Sequence, residues 1–179
     1  MPMTDVPARR PPKPVTLAYL ERAALYYLER YASSSENLRR VLVRKVERRC
    51  RERGEDPADA MPLVDEVIRR AVSGGYVDDR VYAEGRVAAL RRRGGSARGI
   101  AMKLAAKGVD RKLIETVLEG HDTDDATAAL ALARRKRIGP FRVKDRAGHR
   151  DRDLGALARG GFSFDVARRV IDGDGTLDD

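Results

Sequence analysis

Residues Gly74–Gly108 read GGYVDDRVYAEGRVAALRRRGGSARGIAMKLAAKG, and this stretch decides the fold. Gly74 or Gly75 can take the left-handed conformation that commonly ends a helix. Asp78 or Asp79 can then cap the next helix, because a carboxylate accepts hydrogen bonds from the unpaired N–H groups of a first turn. The start of the stretch therefore predicts a helix end, a tight turn and a new helix from about residue 79.

The second half of the stretch repeats this punctuation. Gly94 and Gly95 predict another helix end, and Ser96 is a candidate N-cap for the helix that follows. That helix should end at Lys107 and Gly108, since a cation in the last turn followed by a glycine is typical of a helix C-terminus. Helix, tight turn and helix, with arginines between them, is thus the pattern on which the chain is built.

Outside this stretch, apolar residues also recur every three or four positions, which is the helical period. Ser33, with Glu36 three residues later, predicts a capping box at the second helix, and Gly161 predicts the turn before the last helix. Arg86 falls on the apolar side of its helix, which predicts a shallow core there. The predicted helices cover residues 16–31, 33–53, 60–73, 79–92, 96–107, 110–119, 123–138, 151–159 and 163–171.

These helices form an internal repeat. Shifting the chain by 53 residues aligns Leu104, Gly108 and Val109 with Leu157, Gly161 and Phe162, and a shift of 62 aligns Ser96 with Ser34. Because a three-helix unit of this size buries its apolar face poorly alone, neighbouring units should stack. We predict an all-α fold of three tandem three-helix repeats in an elongated curved array. The boundaries are a basic, proline-rich arm at 1–15, repeats at 16–75, 76–120 and 121–172, and an acidic tail at 173–179.

Composition favours a polyanionic partner. The 179 residues carry a formal net charge of +9, with 36% charged and 5% aromatic residues, so the field attracts nucleic acid or acidic protein surfaces. The single Cys50 forms no internal disulfide, which favours a reducing, cytoplasmic setting. No apolar run approaches the roughly 20 residues that span a membrane, and the N-terminus lacks the apolar core of a signal peptide.

Three runs of basic residues are the main functional signal. Arginine suits phosphate contacts because its planar guanidinium can form paired hydrogen bonds with them. One such run is commonly a solvated helix face, but three runs in successive repeats favour a shared surface that faces a polyanion. The predicted contact residues are Arg40, Arg44, Arg48, Arg51, Arg91, Arg92, Arg93, Arg98, Lys103, Lys107, Arg134, Arg135, Lys136 and Arg137.

Catalytic and metal sites are disfavoured. Asp78 and Asp79 lack a third carboxylate or histidine nearby and are better interpreted as helix caps. With His121 and His149 isolated and one cysteine, no zinc site can be assembled. The turn at 94–99 follows no predicted strand and lacks the Lys-Ser/Thr of a phosphate-binding loop, although the N–H groups after Ser96 remain available to a phosphate.

The central stretch resembles a known family. Residues 75–79 (GYVDD), then Tyr82-Ala83, then Ser96-x3-Ile100-x3-Leu104-x2-Lys107-Gly108-Val109, are similar to the central repeat of the RecX family, bacterial regulatory proteins of RecA recombinase. The sequence SENLRRVL at 35–42 resembles the helix of its first repeat, and LARGGF at 157–162 resembles the turn of its third. The resemblance covers about residues 16–171.

This resemblance implies a non-enzymatic regulator without cofactor or metal. RecX-like proteins bind in the groove of the RecA–DNA filament and limit its growth, its ATP hydrolysis and strand exchange in recombination and DNA repair, within the SOS response. The partners implied are therefore the RecA filament and single-stranded DNA, bound without regard to sequence, and we expect a monomer.

Three other classes of protein remain to be weighed. A helix-turn-helix protein acting directly on DNA would need Asn, Gln or Arg directed at base edges, and the helix from Ser96 to Lys107 contains no Asn or Gln. An enzyme such as a nuclease lacks its acid cluster or histidine pair. A helical array that binds only proteins would have no affinity for DNA at low salt.

Overall fold

The computed structural model describes residues 12–120 and 124–176. The predictions for most of the N-terminal arm, for His121 and for the end of the acidic tail therefore lie outside the described residues. Within the described ranges the fold is all-α, as predicted, with nine α-helices: α1 Leu17–Leu28, α2 Ser35–Arg53, α3 Met61–Ser73, α4 Asp79–Arg92, α5 Ala97–Ala106, α6 Arg111–Glu119, α7 Asp125–Lys136, α8 Arg150–Arg159 and α9 Phe164–Asp172. Two short 3-10 helices, Pro57–Ala60 and Gly139–Phe141, come before α3 and after α7.

The chain divides into two compact units, Met1–Asp78 and Asp79–Asp179. In the first unit, α1, α2 and α3 enclose an apolar cluster that includes Leu20, Leu38, Leu42 and Val64. Val77 is 4% exposed and belongs to this cluster. The residue therefore packs with α1–α3, although the predicted repeat boundary assigned it to the following repeat.

The second unit contains two further helix triplets, each with an apolar cluster of its own. Ala83, Val87, Ile100 and Leu104 are central to the cluster of α4–α6. A separate cluster joins α7, α8 and α9 through Leu132, Leu157, Val170 and Ile171, with Phe162 and Ile138 at its margin. Each triplet thus has its own small apolar cluster. Small clusters are expected because only 5% of the residues are aromatic, which is too few for one large core.

The start of α2 differs from the prediction by one residue. Ser34, not Ser33, is the N-cap: its backbone is extended and its hydroxyl accepts the N–H of Asn37 at 3.2 Å. Ser33 is also buried, but its hydroxyl donates to the carbonyl of Ser34 and accepts from the Asn37 side-chain amide. The predicted capping box fails because the helix starts one position later, and Glu36 binds Arg40 at 2.9 Å.

The other predicted turn residues lie as follows. Gly75, Gly108 and Gly161 have φ values of 71°, 76° and 90°, which is the left-handed region that terminates a helix. Asp79 is the first residue of α4, directly after Asp78. The prediction for Arg86 was wrong: its side chain is exposed, and Ala83 and Val87 are the buried residues of α4.

Candidate nucleic-acid interface

The first predicted basic run forms a stripe along α2. Arg40, Arg44, Arg48 and Arg51 follow at intervals of four, four and three residues, so they share one side of the helix, and all four are exposed. The opposite side is buried through Leu38, Leu42, Val46 and Cys50. Among the described residues, Arg44, Arg48 and Arg51 form no ion pair, which leaves their guanidinium groups available to an external anion.

Cys50 lies on the buried side of this helix and is 2% exposed. Burial raises the pKa of its thiol, with Glu55 adding to the effect and Arg53 opposing it. The thiol therefore stays protonated and serves as a small apolar residue. It contributes nothing to the exposed arginine stripe.

The second basic run lies at the end of α4 and along α5. Arg92 and Arg93 end α4 or follow it directly, and Arg98 and Lys103 lie on α5; all are exposed, as is Lys107 at the C-terminus of α5. Arg92, Arg93, Arg98 and Lys103 have no ion-pair partner in the part of the chain that the structure describes. No acidic residue occurs between Arg86 and Lys107, so this surface carries one sign of charge.

Arg91, predicted as a member of this run, has a different environment. Its side chain is only 9% exposed, and its Nη1 donates to Asp125 Oδ1 at 2.5 Å and to the carbonyl of Gly95 at 3.2 Å. The same Asp125 oxygen accepts the backbone N–H of Ala97 at 2.9 Å, and the Nε of Arg91 is buried without a partner. Arg91 therefore joins α4, α5 and α7 and is not presented to a ligand.

The third basic run ends α7. Arg134, Arg135, Lys136 and Arg137 are all exposed. Arg137 has a left-handed backbone and is the C-cap residue, and its N–H donates to the carbonyls of Ala133 and Arg134. The guanidinium of Arg134 lies 5.1 Å from the ring centre of Phe141. Four cations at a helix C-terminus are favourable to the helix dipole, and their charge faces outward.

Arg142, which continues this run in the sequence, is a structural residue. It forms two hydrogen bonds with Asp153, from Nε at 3.0 Å and from Nη2 at 2.7 Å, and Asp153 is 1% exposed. The buried carboxylate also accepts the N–H of Gly139 at 2.9 Å. Burial raises the pKa of Asp153, but the hydrogen bonds from Arg142 and Gly139 and the charge of Arg142 outweigh it, so the pKa lies below its ordinary value.

The start of α5 is closed to a phosphate, contrary to the sequence-based expectation. Ser96 is buried, and its hydroxyl accepts the N–H of Gly99 at 3.0 Å and donates to the carbonyl of Gly160 at 2.7 Å. The N–H of Ala97 is bound by Asp125. The N–H groups of Ala97 and Gly99 and the hydroxyl of Ser96 are thus already hydrogen-bonded within the protein.

The beginning of the acidic tail is held by cations. The carboxylate of Asp172, the last residue of α9, accepts two hydrogen bonds from Arg150, each 2.7 Å long. These bonds, ahead of the charges of Arg168 and Arg146, lower the pKa of Asp172. Arg146 donates to the carbonyls of Ile171 and Gly173. The chain is therefore held against its own cations at residues 172–173.

Two kinds of site are absent from residues 12–120 and 124–176. No three His, Cys, Asp or Glu side chains are grouped so that they could hold a metal ion. No helix in these ranges is long and apolar enough to cross a membrane.

Comparison with known proteins identifies the family. A "Regulatory protein RecX" from Myxococcus xanthus (strain DK1622) is 41% identical over 165 residues, which cover 90% of this chain and 88% of the relative. This chain belongs to the RecX family. A second "Regulatory protein RecX", from Agrobacterium fabrum, is 34% identical over 87% of this chain and 83% of its own length. The family profile described as "RecX, second three-helix domain" matches residues 78–118, so α4–α6 are the RecX three-helix domain.

Sequence reasoning missed the residues that act through buried contacts in this RecX-family chain. No role was predicted for Asp125 or Asp153, because a sequence does not show which acid contacts which arginine in the fold. Arg159 was also missed: it is an isolated exposed cation in the sequence, and its position beside α5 emerges only in the fold.

Proposed function

We propose that this protein is a non-enzymatic regulator that binds the RecA nucleoprotein filament and inhibits its growth, its ATP hydrolysis and strand exchange. The observation that carries the proposal is the relation to proteins named Regulatory protein RecX over nearly the whole chain. A regulator of this kind acts where chromosomal DNA is repaired, which for a bacterial protein is the cytoplasm.

The arrangement of charge supports a filament as the partner. Exposed cations that form no ion pair with any described residue occur on α2, on α4–α5 and on α7, so each helix triplet offers its own set of contacts. A filament offers repeated phosphates and repeated protein surfaces along its length. Several weak contacts on one chain raise the effective concentration of each next contact, which lets a monomer bind a filament tightly without a single deep site.

The alternative, a helix-turn-helix-like protein that acts directly on DNA, receives no specific support. The exposed side chains of α5 include Arg98, Met102 and Lys103, and α5 has no Asn or Gln to read adenine. Sequence-independent contacts to phosphates suit this surface better.

The proposal is tested by comparing three ligands. The fluorescence anisotropy of the labelled protein is measured with RecA filaments assembled on single-stranded DNA, with RecA alone and with the same DNA alone. We expect the filament to bind at least about tenfold more tightly than either component, a difference of about 1.4 kcal/mol. Equal affinity for naked DNA and for the filament would contradict the proposal, and a footprint at one duplex sequence would favour the helix-turn-helix alternative.

A further inference from the structure

The two helix triplets of the unit Asp79–Asp179 meet with their backbones in direct contact. At one place, the turn after α4 lies against α7: a Cβ on Gly94 would be 2.6 Å from the backbone nitrogen of Leu132 and 2.7 Å from the carbonyl oxygen of Ala128. At the other, the start of α5 lies against the turn before α9, where a Cβ on Gly161 would be 2.6 Å from Ser96 Oγ. We call this line of contact the seam.

Partly buried polar contacts join the two triplets at the seam. The ion pair between Arg91 and Asp125 joins α4 to α7, and Asp125 also binds the N–H of Ala97 on α5. The hydrogen bond from Ser96 to the carbonyl of Gly160 joins α5 to the α8–α9 turn. The two bonds of Asp125 are charge-assisted and therefore among the stronger polar contacts in proteins, so they stabilise the contact between the two triplets.

Exposed cations from both triplets flank the two contact points. Arg92 and Arg93 directly precede Gly94, and Arg135 lies three residues after Leu132, one turn further along the same side of α7. At the second contact point, Arg98 precedes Gly99 and Arg159 precedes Gly160, whose carbonyl would be 3.0 Å from a Cβ on Gly99. All five side chains belong to exposed residues.

These five cations lack internal counter-charges. None of them forms an ion pair within residues 12–120 and 124–176. Asp125, an acid at the seam, is already paired with the largely buried Arg91. Cations gathered on one surface repel one another unless an anion binds among them. A chain of phosphates, with one negative charge for each nucleotide, is the ligand that matches a row of separate cations.

We propose that the seam is a binding site for the phosphates of single-stranded nucleic acid, built jointly by α4, α5, α7 and α8. Arg92, Arg93 and Arg135 bind one group of phosphates, and Arg98 and Arg159 bind a second group further along the strand. The site deepens the proposed function and takes its biological setting from it, but its binding chemistry does not require RecA.

The test measures binding of the full chain to a fluorescent oligothymidylate over a range of salt concentrations. The variant Arg92→Glu/Arg135→Glu removes one cation from each side of the seam. The matched control, Arg22→Glu/Lys112→Glu, makes the same change in net charge at exposed residues of α1 and α6 that form no ion pair among the described residues. Circular dichroism checks that helical content is unchanged in both.

We expect the seam variant to lose at least about tenfold in affinity at low salt, and the slope of log K against log salt to fall by about 1.4, the value for two lost phosphate contacts on a single strand. The control should keep the wild-type slope. Equal losses in the two variants would overturn the proposal, because net charge alone would then explain them. So would a seam variant that binds DNA normally and loses affinity only for DNA-free RecA, since the seam would then contact protein.

Failure of the proposed function is distinguished from failure of this inference by the same reagents. If the wild-type protein binds the oligonucleotide through the seam but has no effect on RecA, the seam stands and the proposed regulatory role falls. If it acts on RecA and the seam variant binds DNA as the control does, the seam proposal falls and the regulatory role stands.

Discussion

The pair formed by Arg142 and Asp153 shows how one buried acid changes the role of a neighbouring cation. In Asp153→Asn the arginine loses its charged partner, and we expect the free energy of unfolding at pH 7 to fall by about 3 kcal/mol, as for other broken buried pairs. The matched control is Asp151→Asn on the same helix, where the side chain is 97% exposed; its cost should stay within about 0.5 kcal/mol. Urea unfolding followed by circular dichroism measures both.

The cost of Asp153→Asn should also depend on pH. The pKa of Asp153 in the folded protein lies below its ordinary value of 3.8, so its stabilising effect is complete above 3.8 and is lost as the pH falls through the folded pKa. The stability gap between wild type and Asp153→Asn should therefore be constant at neutral pH and narrow below 3.8. A gap that stays unchanged into strong acid would contradict this assignment.

Gly94 gives a second prediction at the scale of the residue. Its φ is 75°, and its Cβ position is occupied by the backbone of α7, whereas Gly54, with φ 69°, has open space there. Gly54→Ala should cost about 1 kcal/mol for the left-handed backbone alone. Gly94→Ala should cost a further 1 to 3 kcal/mol, roughly, because α4 and α7 must move apart. Equal losses of stability in urea unfolding would show that the close approach at Gly94 is unimportant.

Among the elements, α2 carries a stripe of exposed cations in which Arg44, Arg48 and Arg51 form no ion pair with any described residue. We expect Arg44→Glu/Arg48→Glu to weaken binding to RecA–DNA filaments by about tenfold or more at low salt, since both side chains would then repel phosphates. The control Arg22→Glu/Lys112→Glu carries the same charge change outside the three basic runs. Anisotropy with preassembled filaments measures the effect, and a variant that binds as well as wild type would exclude α2 from the contact surface.

Helix type and approximate length could be predicted from the sequence, and individual contacts could not. Gly75, Ser96 and Gly161 mark helix ends by local chemistry, so a sequence alone locates them within a residue or two. The start of α2 was misplaced because Ser33, Ser34 and Ser35 are all plausible caps, and packing of the adjacent tyrosine and asparagine decides between them: Asn37 binds both Ser33 and Tyr27. Arg86 was misplaced because helical periodicity assigns a side, not a depth.

For the whole molecule, the sequence predicted where basic residues are concentrated. It did not predict which of their side chains are paired with an acid inside the protein. Arg91, Arg92 and Arg93 are indistinguishable in the sequence, yet the first is paired in the seam and the other two are exposed. Arg142 likewise adjoins an exposed run and is bound by Asp153. The difference comes from contacts between residues 11 to 34 positions apart, which depend on how helices cross. The number of arginines in the sequence therefore overestimates the number that are available to a partner, because the fold pairs some of them with buried or partly buried acids.

The most direct test of the account as a whole is the ATP hydrolysis of RecA on single-stranded DNA with this protein added at far less than one molecule per RecA. The account predicts a progressive fall in rate, a loss of inhibition as salt is raised, and weaker inhibition by Arg92→Glu/Arg135→Glu than by Arg22→Glu/Lys112→Glu. An unchanged rate, even with the protein in excess over RecA, would contradict the proposal that this RecX-family chain regulates the RecA filament.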